Sequence, residues 1–135
     1  MKINTLLISG ITMLIVAVSC KKNTVDPPAG IPGERKVRFV LYTTKNYAGN
    51  DQLVSFTLKM SAGGTTVWDS ALAPIQLKDI PGPGNKLVIE KKVPGNNNAQ
   101  LITGFVYTIE NVGISWYTDV FNAGEMLKTI DLDFR

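Results

Sequence analysis

From residue 37 onward, apolar positions recur every second residue. Val37, Phe39 and Leu41 alternate with Arg38, Val40 and Tyr42, and Val54, Phe56, Leu58 and Met60 alternate with Ser55, Thr57 and Lys59. A period of two sends successive side chains to opposite faces of an extended chain, so each series predicts a half-buried strand. Leu101, Thr103, Phe105, Tyr107 and Ile109 define a longer strand of this kind, and Ile114, Trp116, Thr118 and Val120 define its neighbour. Asn111, Val112 and Gly113 between them suit a tight hairpin turn. Shorter strands are expected at Thr66, Val67, Trp68 and Asp69, and where Leu87 and Ile89 alternate with Val88 and Glu90. The chain closes on Ile130, Leu132 and Phe134 alternating with Thr129, Asp131 and Asp133.

Turn residues separate these runs. Gly49-Asn50-Asp51, Gly63-Gly64, the Pro/Gly run at 81–85 and the Pro-Gly-Asn run at 94–98 supply positive φ or a fixed φ without steric cost. Many short strands with turns at this spacing and no helical period predict an all-β domain over residues 36–135. The expected architecture is a seven- to eight-stranded antiparallel β-sandwich, with a small closed barrel as the alternative.

The first quarter of the chain obeys a different rule. After a short head bearing Lys2, residues 6–18 are almost uninterrupted Leu, Ile, Val and Met. As a helix that run is roughly 20 Å long, well short of a hydrocarbon core of about 30 Å. It therefore fits the apolar region of a secretory signal, assigned to residues 1–19, rather than a membrane span. Residues 20–35 are rich in Pro and Gly and poor in apolar side chains, as a solvated tether requires.

Composition narrows the chemistry. The 135-residue chain has no histidine and one cysteine, Cys20, which excludes His-dependent hydrolases, the usual zinc sites, an internal disulfide and a CxxC redox motif. The 14 basic residues against 11 acidic ones give a net charge of +3, with no run longer than a pair. Nucleic-acid binding, which gathers Lys and Arg into a stripe along phosphates, is not expected. Neither a cofactor nor an enzymatic activity is expected. Glutamate pairs of the glycosidase type need an enclosed cleft, and only Glu90, Glu110 and Glu125 follow Lys36.

Ala17-Val18-Ser19-Cys20 resembles the lipobox of bacterial lipoproteins, with Ala17 where that family usually has leucine. The resemblance implies that the Cys20 thiol receives a diacylglycerol and that the chain is cleaved before it. The expected partner is then a lipid bilayer held through acylated Cys20. Each buried CH2 contributes about 0.8 kcal/mol, so two or three acyl chains hold far more firmly than one. Lys21 stands where a Gram-negative inner-membrane lipoprotein would have aspartate, which implies the outer membrane, periplasmic or surface-facing. The stretch AGEMLKTIDLDF near the C-terminus is similar to the closing strand of transthyretin-like and immunoglobulin-like domains of envelope proteins. That likeness implies a sandwich and no active-site residues.

The remaining candidates are binding residues. Tyr117, Trp68 and Asn97 are the positions from which a glycan-binding reading starts: aromatics stack on sugar rings, and an Asn-rich loop reads polar ligands. Trp116 is expected to turn inward with Ile114 and Val120, leaving Tyr117 outside. Asp131 and Asp133 share one strand face, where they fit a solvated edge better than a calcium site, which needs six to eight oxygens. The domain is expected to serve an envelope protein partner or, alternatively, to bind a glycan.

Overall fold

The computed structural model describes residues 33–135; the signal segment, Cys20 and the tether as far as residue 32 lie outside the described residues. Eight strands follow one another: β1 (Lys36–Tyr42), β2 (Leu53–Ala62), β3 (Thr65–Ala71), β4 (Ile75–Gln76), β5 (Leu87–Lys92), β6 (Leu101–Ile109), β7 (Gly113–Phe121) and β8 (Leu127–Asp133). They form a three-stranded sheet ordered β5-β1-β8 and a five-stranded sheet ordered β3-β2-β6-β7, with the two-residue β4 also on β2. This is an eight-stranded β-sandwich.

Alternation decides the core as the sequence predicts for four strands. Val37, Phe39 and Leu41 of β1 and Ile130 and Leu132 of β8 face Val54, Phe56, Leu58 and Met60 of β2 and Leu101 and Phe105 of β6, all buried. Edge-to-face rings fix the centre: Phe105 meets Phe39 at 5.7 Å and 85°, and Phe56 meets Phe134 at 5.6 Å and 79°. Such pairs each contribute about 0.5–1.5 kcal/mol beyond the area they bury.

The structure departs from expectation in three places. Most ladders are antiparallel, but β1 and β8 run parallel, Lys36 beside Leu127 and Tyr42 beside Asp133. Period two tells which face is buried and not which strand is adjacent, so this pairing had no local signal. The second departure is Arg35, assigned to the tether by composition, which is fully buried and packed on the ring of Phe121, 4.1 Å from its centroid. The third is the orientation of β7. Tyr117 lies opposite Phe105 and Asp119 opposite Thr103, so these polar positions take the core-side face. Ile114 and Trp116 therefore point outward, 67% and 69% exposed, the reverse of the inward turn expected for Trp116. As the last strand of its sheet, β7 packs inward only at its Phe121 end.

Candidate functional site

Among the described residues, the most exposed large apolar side chains lie on the outer face of the β6–β7 hairpin and at its turn. Cross-strand partners share a face, and the register places Ile102 with Val120, Val106 with Trp116 and Thr108 with Ile114. Ile102 is 43% exposed, and Val112, at the hairpin turn, is 72% exposed. The turn itself is shaped by Asn111 at φ 59 and Gly113 at φ 135. Gly104 lets the two strands meet: a Cβ there would lie 2.1 Å from the Tyr117 carbonyl oxygen and 2.6 Å from the Thr118 Cα. The result is an apolar stripe along β7, continued onto β6.

The three residues singled out from the sequence do not converge. Trp68 on β3 and Tyr117 on β7 occupy opposite edges of the five-stranded sheet. Trp68 contributes to a cleft of about 550 Å3 between β3 and β5, with Glu34, Glu90, Lys91, Lys92 and Asn96 among its walls. Its indole packs against Phe39 with centroids 6.2 Å apart, and the Lys91 ammonium stands 5.1 Å from the ring centroid. Both neighbours occupy space a stacking sugar would need. Both acidic groups of the cleft are paired, Glu34 with Lys92 at 2.7 Å and Glu90 with Arg38, which lies outside the cleft, at 2.5 Å. Tyr117 is 44% exposed on the opposite side of its strand from Trp116, so these neighbours share no platform.

Asn97 belongs to a loop whose carboxamides are turned to structure. The Asn97 side-chain oxygen accepts from the Ala99 N–H at 2.7 Å, and that of Asn98 accepts from the Gly124 N–H at 2.7 Å. Asn96 accepts from the Arg35 N–H at 3.0 Å and donates to the Gly33 carbonyl at 3.0 Å. Arg35 then fills the centre: its guanidinium donates to the carbonyls of Glu125 (2.9 Å), Ala99 (3.0 Å), Asn122 (2.7 Å) and Asn97. The Asn run locks the chain's entry into the domain to the turn between β7 and β8.

Among the carboxylates, resolved shifts all favour the charged form. The Lys128 ammonium, assisted by the Val120 N–H, lowers the Asp119 pKa. Hydrogen bonds from the Asn122 N–H and then its carboxamide lower that of Glu125, and a hydrogen bond from Lys92 lowers that of Glu34. Asp133 is lowered by Arg135 and by Thr44. Asp131, the other candidate on that strand, lies 4.0 Å from the Lys86 ammonium. Among the described residues no three His, Cys, Asp or Glu side chains cluster as metal ligands.

Sequence reasoning located the apolar residues of β7 but assigned them to the core. The signal that separates the two outcomes is the other face: Ser115, Tyr117 and Asp119 offer little for a core to hold, and exposed Ile114 and Trp116 follow from β7 being an edge. Compared with known proteins, the chain matches no family model, no curated protein and no solved structure.

Proposed function

We propose that this chain is an outer-membrane lipoprotein, acylated at Cys20, whose sandwich is a non-catalytic interaction module of the cell envelope. The anchoring half of the reading rests on the AVSC motif behind an apolar run too short to span a bilayer, followed by a Pro/Gly tether. The observation that carries the interaction half is the apolar stripe of Ile114 and Trp116, 67% and 69% exposed on an open sheet face. Contiguous exposed apolar surface of this kind marks contact sites on folded proteins. Glu34, Asp119, Glu125 and Asp133 are each held in their charged form by hydrogen bonds, the opposite of the raised pKa a general acid requires.

Two experiments test the reading separately. Cys20→Ser abolishes labelling by a clickable fatty acid and releases the domain from membranes; persistent labelling would remove the anchor from the proposal. A photo-crosslinking amino acid at position 116 in intact cells gives defined protein adducts, whereas one at the exposed position 45 does not. Equal adduct patterns at both positions would defeat the interaction reading.

A glycan-binding reading is supported by one observation, the free indole of Trp116. Without a second aromatic beside it, affinity for an oligosaccharide would rest on a single stacking contact. Titration with cell-wall and surface oligosaccharides, using Trp116→Ala as the comparison, distinguishes it: saturable binding lost in the variant favours the glycan over a protein partner.

A further inference from the structure

We propose that the free edge of β7 pairs antiparallel with the β7 edge of a second copy of this chain, about a two-fold axis at Ser115. The proposal rests on the interaction reading above and names both the partner and its mode of contact.

The four sheet edges differ in how they are protected. Native sheets blunt their edges with charge, proline, bulges or short length, because an unpaired strand is a template for another chain. β5 carries Glu90, Lys91 and Lys92, and β8 carries Lys128, Asp131 and Asp133. β3 carries Asp69, and its ladder with β2 is broken by a register shift between Met60 and Ser61. β7 has nine residues, GISWYTDVF, with no proline, no lysine and one charge. That charge closes only one end of the edge. The Asp119 carboxylate pairs with Lys128 of β8 at 2.5 Å and accepts from the Val120 N–H at 2.7 Å. Val120 is thus one of the residues whose backbone faces outward, and alternation along the strand gives Ile114, Trp116 and Thr118 the same outlook. Their N–H and C=O groups have no strand partner among the described residues.

The open stretch is complementary to itself. Antiparallel pairing centred on Ser115 sets Ile114 opposite Trp116 of the second copy, and Trp116 opposite its Ile114. Both residues face outward, so each such pair exchanges two backbone hydrogen bonds, and each exposed indole gains an isoleucine beside it. Thr118 meets Val112 of the other hairpin turn in the same register. Moving the axis to Tyr117 would instead bring Asp119 opposite Ser115 and press the second copy against the Lys128 side chain. Residues 111–118, NVGISWYT, carry no charge. The neighbouring carboxylates are turned away: Glu110 accepts from the Leu53 N–H at 3.2 Å, and Glu125 from the Asn122 N–H at 2.8 Å. Lys59, on the same outer face, lies two strands in, on β2. A second copy therefore buries no unpaired charge. Because the other three edges are guarded, two-fold pairing uses up both open edges and assembly stops at two. A ladder from Val112 to Thr118 buries less than the roughly 1,200 Å2 of a stable complex, so the pair is weak between free copies. Acylation at Cys20 confines every copy to one plane and raises its effective concentration, the setting in which so small a contact forms.

The test uses the full lipidated chain in phosphatidylethanolamine/phosphatidylglycerol vesicles, with one cysteine introduced on β7 and oxidised. Rates are read relative to the chain without the added cysteine. Paired Ser115 residues would lie about 4.5 Å apart at Cα, inside the roughly 4.4–6.8 Å that a disulfide spans. Two Tyr117 residues would lie roughly 13 Å apart. Ser115→Cys is therefore expected to give a disulfide-linked dimer at least tenfold faster than Tyr117→Cys. The rate should fall as lipid dilutes the chain. It should fall at least tenfold when Trp116→Lys is added to Ser115→Cys, with an unchanged urea midpoint. Equal rates at 115 and 117 would refute the register, a rate unmoved by Trp116→Lys would refute pairing through this edge, and no dimer at any lipid ratio would overturn the proposal. In cells, the photo-adduct at position 116 should have twice the mass of the chain; adducts with other proteins alone would give the edge another occupant, also overturning it. Failure here leaves those other adducts in place, whereas failure of the interaction reading removes every adduct specific to position 116.

Discussion

Arg35 is fully buried, and its guanidinium is held by main-chain carbonyls of two different turns rather than by a carboxylate. Burial lowers its pKa, and the nearby Glu125 carboxylate opposes that shift. Its planar fork reaches acceptors that a lysine, a point charge with three donors, cannot span together. Arg35→Met is expected to cost on the order of 3 kcal/mol through orphaned carbonyls, with Arg35→Lys intermediate; urea midpoints measure both. Thr103 presents the opposite situation. It is completely buried on the core face of β6, and its hydroxyl has no partner. Thr103→Val keeps the shape and removes the unsatisfied group, and should raise stability by about 1 kcal/mol. The roles of Arg35 and of Asn97 were not legible beforehand. Arg35 looked like part of a polar tether because its acceptors come from residues more than 60 positions away, and Asn97 looked like a ligand reader because its carboxamide's local partner, the Ala99 N–H, does not show in composition.

At the scale of strands, period two located the elements and named the core faces of β1, β2, β6 and β8. It was silent on adjacency, which is why the parallel β1–β8 pair comes only from the structure. For β7 it found the apolar face and attached it to the wrong side. Alternation identifies two faces, and the assumption that the apolar one is inside fails for an edge strand that packs inward only at its Phe121 end. Gly104 shows how tightly that strand is seated. Gly104→Ala would drive a methyl group into the β7 backbone, so β7 must separate from β6 there. The expected outcome is faster amide exchange from Gly113 to Phe121, with slower exchange retained in β1 and β8. Uniform destabilisation across both sheets would argue against this local account.

For the whole domain, acid is the informative variable. Asp119, Glu125, Asp133 and Glu34 all have folded pKa values below their ordinary ones. A group depressed by folding adds stability above its unfolded pKa and loses that contribution as pH falls through the folded value. Thermal midpoints should therefore hold steady from neutrality to about pH 5 and decline below about pH 4. Asp119→Asn should flatten part of that decline, and an unchanged acid limb would place the loss elsewhere. The same domain-wide view joins the chain entry to the exposed apolar stripe, since Arg35 packs at one end of β7 and the stripe runs toward the other.

The position of β1 has a mechanical consequence. It is the middle strand of its sheet, paired over seven residues with β8 and over six with β5, and it begins directly after Arg35. Tension applied at Arg35 and resisted at the hairpin end of β7 would act along β1. It would load both ladders in shear, so that many hydrogen bonds share the force instead of parting one after another. The fold is thereby built to resist traction between its chain entry and the hairpin tip, and single-molecule pulling from the N-terminus against that tip should register a high unfolding force that falls sharply in Arg35→Lys.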